Sequence, residues 1–137
     1  MSRMSEVKRL TAADIMTKNV VTKGPHDVLT RIAAEMERHK IGSVVIMENR
    51  KLVGILTERD FVRIVERVGT MLEKNLAKDH MTTPVYSVGT DASIVDIIKL
   101  MSEKHVRHLI VLDKKGEIAG IISSRDLMKA AEDVMSI

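Results

Sequence analysis

The chain has 137 residues, no cysteine, a formal net charge of +3 and 30% charged residues. These values are ordinary for a soluble globular protein of one or two small domains, and they exclude disulfide bonds and thiol catalysis. Aromatic residues make up only 1% of the chain, so we expect a core of aliphatic side chains and methionine. The absence of glutamine and the scarcity of asparagine favour a thermophilic source.

The first 13 residues are predicted to form a solvated arm or helix, because Glu6 interrupts the basic residues Arg3, Lys8 and Arg9. No apolar segment reaches the length of a membrane-spanning helix, and no secretory signal is visible. We therefore expect a cytoplasmic protein.

The first half of the chain predicts two helices and two main strands. A leading segment, Asp14–Thr17, precedes a short extended piece at Val20–Thr22. A helix over residues 27–40 is predicted from apolar residues at helical spacing, namely Val28, Leu29, Ile32, Ala33 and Met36. The apolar run Val44–Met47 predicts a buried strand, and a polar turn leads to a second strand, Leu52–Leu56. A second helix begins at Thr57.

The same order of elements recurs in the second half. A second leading segment, Asp79–Thr82, matches the first, and the extended piece is Val85–Ser87. The remaining predictions are a helix over residues 91–104, the strands Leu109–Leu112 and Ile118–Ile122, and a helix that begins at Ser123. One inserted residue, Gly116, falls in a turn, where an insertion is expected.

We therefore predict an α/β (α+β) fold of two β-α-β-β-α repeats, residues 14–68 and 79–133, joined by a linker of residues 69–78. Neither repeat is large enough to bury its sheet and both helices alone. We expect the repeats to pack on each other about a pseudo-two-fold axis.

Each repeat carries one polar signature at the end of its second strand: Gly54–Asp60 and Gly120–Asp126. Thr57 or Ser123, followed three residues later by Asp, fits a helix capping box, which by itself accounts for both acids. Glycine inside a strand is costly unless backbone or ligand approaches it closely. The signature also suits a nucleoside phosphate, because helix N-termini bind phosphate and a carboxylate binds ribose hydroxyls.

No catalytic motif is visible, and the five histidines lack the spacing of metal ligands. We expect neither enzymatic activity nor a metal site. Surface positions are expected for His26, His39, His80 and His105.

The two leading segments, the strand Gly42–Ile46 and the two signatures resemble a tandem pair of CBS domains, also called a Bateman module, over nearly all of residues 14–131. The resemblance implies a regulatory module that needs no cofactor and binds AMP, ADP, ATP or S-adenosylmethionine in clefts between the repeats. By position, Asp60 and Asp126 would hold ribose hydroxyls, and Thr57 and Ser123 would contact phosphate. The other implied contacts are Met16, Thr17, Val20, Val21, Met81, Thr82 and Tyr86 around the base, Ile55 and Ile121 near it, and Gly42, Ser43, Arg59, Arg107, His108 and Arg125 near the phosphates.

The copies differ most before the first apolar strand, where Gly42 and Ser43 add no charge but Arg107 and His108 do. We predict two unequal sites, of which the one with Arg107 prefers more phosphate. The resemblance also implies a homodimer. Because the repeats account for the chain, we expect any regulated protein to be a separate polypeptide.

Two other functions stay open. One is a ligand-free scaffold that only dimerises. The other is a weak nucleic-acid binder, which the pI of about 9.3 suggests but which lacks a basic stripe and aromatic platforms.

Overall fold

The computed structural model describes residues 2–135. The helices and strands in chain order are α1 (Arg3–Lys8), α2 (Ala12–Ile15), β1 (Thr22–Lys23), α3 (Leu29–His39), β2 (Ser43–Glu48), β3 (Lys51–Thr57), α4 (Glu58–Val68), a 3-10 turn (Met71–Lys74), α5 (Ala77–His80), β4 (Ser87–Gly89), α6 (Ile94–Lys104), β5 (His108–Leu112), β6 (Ile118–Ser123) and α7 (Ser124–Met135). The mixed α/β fold and its duplicated order of elements are confirmed.

The chain divides into two compact units whose limits differ from those of the sequence repeats. We call residues 20–85 the central unit, and residues 2–19 together with 86–135 the terminal unit. Each unit therefore contains the sheet of one repeat and the leading segment that begins the other repeat.

The central unit is built on a three-stranded sheet in the order β1-β2-β3. Strand β1 runs parallel to β2, and β2 pairs antiparallel with β3, which places Val45 opposite Ile55. Side chains of α3, α4 and α5 pack on one face of this sheet. In α3 the apolar positions recur at helical spacing, so they form one face that is buried against the strands. The buried cluster consists of Leu29, Ile32, Met36, Val44, Ile46, Leu56, Ile64 and Ala77.

The terminal unit repeats this plan with the sheet order β4-β5-β6. Strands β4 and β5 are parallel, β5 and β6 are antiparallel, and Ile110 lies opposite Ile121. Its buried cluster consists of Ala12, Ile97, Met101, Leu109, Val111 and Ile122. Both cores are free of buried aromatic side chains, as the composition predicts.

Helices α3 and α6 begin later than the apolar periodicity predicts. Asp27 turns back to accept a hydrogen bond from the N–H of Gly24 at 2.7 Å, so it lies in a turn before α3. At α6 the hydroxyl of Ser93 accepts from the N–H of Asp96 at 3.1 Å and caps the helix. These local side-chain hydrogen bonds hold the preceding residues outside the helix, so each helix begins after them.

The N-terminal segment contains helix α1, which contacts α7. Arg3 in α1 donates a hydrogen bond of 2.5 Å to the carbonyl of Met135 in α7. Ala12 is fully buried in the terminal core. In the linker, Ala77 is likewise fully buried in the central core, so both segments are structural parts of the units.

Within residues 2–135, no helix combines the length and the apolar character needed to cross a lipid bilayer.

Candidate functional site

Each leading segment lies along the outer edge of a sheet, next to a signature. Thr17 and Ile121 of β6 exchange two backbone hydrogen bonds, of 2.8 and 2.9 Å. Thr82 and Ile55 of β3 do the same at 2.8 and 3.1 Å. These isolated bridges pair part of an edge that would otherwise expose its N–H and C=O groups. They bring residues that are far apart in sequence to the two signatures.

The signature glycines make room for these leading segments. A Cβ placed on Gly120 would lie only 2.8 Å from the carbonyl oxygen of Thr17 and 2.7 Å from Sδ of Met16. A Cβ placed on Gly54 would lie 2.7 Å from Cγ of Met81. The prediction of a close approach at both glycines is confirmed, because a methionine of the leading segment lies against each one.

The carboxylate of Asp60, in the first turn of α4, accepts four hydrogen bonds. Its Oδ2 accepts from the N–H of Thr57 at 2.9 Å and from the hydroxyl of Thr57 at 3.1 Å, which completes a capping box. Its Oδ1 accepts from the hydroxyl of Thr82 at 2.9 Å and from Nη2 of Arg63 at 3.2 Å. An ionised carboxylate offers about four lone-pair sites, so all those of Asp60 are in use.

The carboxylate of Asp126, in the first turn of α7, has one donor fewer. Its Oδ2 accepts from the N–H and the hydroxyl of Ser123, at 2.8 and 3.1 Å. Its Oδ1 accepts from the hydroxyl of Thr17 at 3.2 Å. Lys129 occupies the position that corresponds to Arg63, but the hydrogen bonds and ion pairs found among the described residues include none between Lys129 and Asp126.

The two copies carry different charges where the first main strand begins. In the central unit the carbonyl of Gly42 accepts from the N–H of Glu58 at 3.0 Å. The side chain of Glu58 lies over Gly42, with Oε1 2.8 Å from the place of a Cβ. In the terminal unit the carbonyl of Arg107 accepts from the N–H of Ser124 at 3.0 Å. Glu58 of the central unit therefore corresponds to Ser124 of the terminal unit, and Gly42 corresponds to Arg107.

The residues predicted to lie near the phosphates also differ in charge between the two units. The central unit contains Gly42, Ser43 and Arg59, and the terminal unit contains Arg107, His108 and Arg125. All three arginines are exposed, whereas Ser43 and His108 are half-buried. A guanidinium group presents several N–H donors in a planar fork that matches the oxygen atoms of a phosphate.

Of the predicted base-side residues, the leading-segment residues lie along β3 and β6, whereas Val20, Val21 and Tyr86 precede the first strand of a sheet. The carbonyls of Val21 and Tyr86 each accept a hydrogen bond of 3.0 Å from the next strand. Nζ of Lys104 lies 5.4 Å from the centre of the Tyr86 ring, within the range of a cation–π interaction. Val20, half-buried, precedes β1 in the central unit.

His80 does not lie on the surface as predicted. It is half-buried at the end of α5, with Nε2 2.8 Å from Oδ1 of Asn75, and its Nδ1 is buried without a hydrogen-bond partner. The cause is the packing of α5 against β3, which the sequence pattern of this linker does not reveal. His26, His39 and His105 are exposed as predicted.

Across residues 2–135, no cluster of three or more His, Cys, Asp or Glu side chains could hold a metal ion.

Three residues at the sites were not predicted. Arg63 could have been found from its spacing, because residues three apart on a helix are neighbours and Asp60 is its partner. Glu58 and Lys104 carry no such signal, since their contacts depend on tertiary packing.

Comparison with known proteins gives one family and several relatives. The family model for the CBS domain matches residues 12–67 and 77–133. An uncharacterised protein of Methanopyrus kandleri is 33% identical over 90% of this chain, which spans 63% of that relative's length. Hypoxic response protein 1 of Mycobacterium tuberculosis is 32% identical over 87% of this chain and 83% of its own length.

Solved structures share the fold. A CBS-domain containing protein from Agrobacterium tumefaciens superposes with a TM-score of 0.80 at 30% identity, covering 89% of this chain and 93% of that one. The CBS-domain pair of protein MJ0100, solved with 5′-methylthioadenosine and S-adenosyl-L-methionine, has a TM-score of 0.75 at 23% identity and covers 88% of this chain and 94% of that one.

Proposed function

Because the chain belongs to the CBS-domain family and carries two copies of the domain, we propose that it is a regulatory module that binds adenosine derivatives at its two signatures. One observation carries the proposal. In both units the helix cap uses only Oδ2 of the signature aspartate. The other oxygen, Oδ1, accepts a hydrogen bond from a threonine hydroxyl of a leading segment. This oxygen is therefore already placed to bind an alcohol group.

The chemistry of the pocket fits a ribose. A ribose presents two neighbouring hydroxyls, and a carboxylate accepts hydrogen bonds from both, as acidic residues do in other nucleotide-binding folds. The hydroxyls of Thr17 and Thr82 occupy the position that a ligand hydroxyl would take. Ligand binding then exchanges an internal hydroxyl for an external one, which changes how firmly the leading segment is held.

The charges of the two units support unequal ligand preferences. The terminal unit offers Arg107 and Arg125 beside the start of α7, where helix N–H groups also favour an anion. The central unit places Glu58 over Gly42, at the corresponding position. We therefore assign the more phosphorylated ligand to the terminal unit, since a carboxylate close to a phosphate repels it.

The ligand class has one further support. The MJ0100 domain pair was solved with two adenosyl compounds, and these share the adenosine group with AMP, ADP and ATP. We propose that a regulated protein responds to the liganded state of the module.

A ligand-free dimerisation scaffold is the second candidate, and the exposed apolar side chains favour it. Val62 on α4 is 74% exposed and Met128 on α7 is 67% exposed, at corresponding positions of the two repeats. A large exposed apolar residue on each of two equivalent helices suits an interface with a second copy. We propose a homodimer in either case. Val62 and Met128 are not among the predicted ligand contacts, so dimerisation through them does not compete with ligand binding for the same residues.

Thermal unfolding with AMP, ADP, ATP and S-adenosylmethionine tests the function. A ligand at 100 times its Kd should stabilise the fold by about 2.7 kcal/mol. Asp126→Asn should lose a charge-assisted hydrogen bond to the ligand and weaken affinity by about tenfold or more.

Asp113→Asn is the matched control, because the carboxylate of Asp113 accepts from the N–H groups of Lys115 and Glu117 in the turn between β5 and β6, outside both signatures and both leading segments. It should lower stability and leave ligand affinity unchanged. If no adenosine compound moves the unfolding midpoint, or if both variants lose stability alone, the scaffold replaces the sensor.

A further inference from the structure

The two signature carboxylates differ by one donor, and that donor is Arg63. Oδ1 of Asp60 accepts from Thr82 at 2.9 Å and from Arg63 at 3.2 Å. The side chain of Asp60 is 13% exposed and that of Arg63 is 49% exposed, so the guanidinium covers the carboxylate from the solvent side.

Arg63 is held over Asp60 by a second contact. Its Nη2 lies 3.4 Å from the carbonyl oxygen of His80, beside the leading segment that supplies Thr82. The planar guanidinium therefore links α4 to the end of α5. A lysine, as at position 129, is a flexible point charge without this fork of donors.

The two sites present different competition to a ligand diol. At Asp126 the hydroxyl of Thr17 is the donor that a diol must displace from Oδ1, and one lone pair remains available. At Asp60 a diol must displace both Thr82 and Arg63. The bond from Arg63 is charge-assisted and stronger than one from a neutral hydroxyl, and breaking it separates an ion pair.

We propose that Arg63 is a specificity-determining residue that competes with ligand hydroxyls for Asp60, which makes the central unit the weaker of two diol-binding sites. The inference rests on the proposed function. Its consequence is a module that fills its terminal unit first and its central unit only at higher ligand concentration.

Isoleucine methyl groups report on each site separately in the full-length chain. Ile55 lies within the central signature and Ile121 within the terminal one, and both are buried, with 7% and 8% exposure. In methyl NMR titrations with AMP, the signals of Ile121 should shift at lower AMP concentration than those of Ile55.

Three variants test the cause of this difference. Arg63→Met keeps the aliphatic stem and removes the guanidinium, and it should tighten AMP binding at Ile55 by about fivefold, the upper range for a partly exposed ion pair. Arg67→Met removes a charge one turn further along α4 and should change neither midpoint. Lys129→Arg should weaken binding at Ile121 by about the same factor.

Several results would overturn the inference. Equal midpoints that Arg63→Met does not alter would overturn it while leaving the proposed function intact. Weaker binding at Ile55 in Arg63→Met would mean that Arg63 contacts the ligand instead of competing with it. If neither isoleucine responds to AMP, ADP, ATP or S-adenosylmethionine, the proposed function fails and the role of Arg63 fails with it.

Discussion

Replacing Gly120 by alanine tests whether the leading segment and the signature form one structural unit. The added Cβ would lie 2.8 Å from the carbonyl oxygen of Thr17, where ordinary contact begins near 3.4 Å. Backbone atoms must therefore separate by roughly 0.6 Å, because a carbonyl, unlike a side chain, cannot rotate away. The equivalent Cβ on Gly54 would meet Sδ and Cγ of Met81, which can move to another rotamer, and Cβ of Met81 at 3.0 Å, which must shift by a few tenths of an ångström.

The expected cost follows from these contacts. Overpacking of this kind costs about 1–3 kcal/mol. The separation also weakens the two hydrogen bonds between Thr17 and Ile121, now 2.8 and 2.9 Å long, each of which contributes about 1 kcal/mol. Alanine reduces the entropy of the unfolded chain and offsets about 0.4–1 kcal/mol of this. We expect Gly120→Ala to lower the free energy of unfolding by about 2 kcal/mol, and Gly54→Ala by about 1 kcal/mol.

Urea unfolding measures both values. The fluorescence of Tyr86, the single tyrosine, follows the terminal unit, while circular dichroism follows the whole chain. Gly24→Ala is the control, because the nearest atom to its added Cβ is 3.6 Å away, so the change should stay within about 0.5 kcal/mol. The reasoning is refuted if Gly120→Ala is as stable as Gly24→Ala, or if Gly54→Ala costs more than Gly120→Ala.

Two further predictions concern single hydrogen bonds. Thr82→Val removes the hydroxyl that donates a hydrogen bond of 2.9 Å to Asp60, and it should lower the free energy of unfolding in urea by about 1.5 kcal/mol, the lower end for a charged acceptor. Thr83→Val changes the exposed neighbouring threonine and should cost much less. Equal losses in the two variants would contradict the assignment. The hydrogen bond from Lys23 holds the pKa of Glu35 below its ordinary value of 4.5. The stability from this ion pair is therefore fully present above pH 4.5 and is lost as the pH falls through the lower pKa of the folded state. Unfolding curves of the wild type and Glu35→Gln should differ at neutral pH and converge in acid, and a constant difference down to low pH would contradict this.

Much of the fold and part of the site could be predicted from local sequence patterns. The apolar runs predicted the strands β2, β3, β5 and β6 within one or two residues. Such patterns are visible because each strand and helix buries a face that recurs at its own period. The two signature glycines also predicted a close approach, since a missing Cβ inside a strand leaves room that something must fill.

Other features depended on distant contacts. Nothing local indicated that Thr17 would contact Asp126, or that Thr82 would contact Asp60, because these partners are 109 and 22 residues apart. For the same reason the sequence repeats and the compact units have different limits.

The amino-acid sequence alone therefore determined the duplicated β-α-β-β-α plan, the capped acids and the glycines, because each depends on residues a few positions apart. Only the tertiary structure decided which leading segment joins which sheet, and which threonine hydroxyl each carboxylate accepts. The physical reason is that a helix cap is closed by its own first turn, whereas the second oxygen of each carboxylate is satisfied by whatever the fold places beside it. In this chain the fold places Thr82 beside Asp60 and Thr17 beside Asp126.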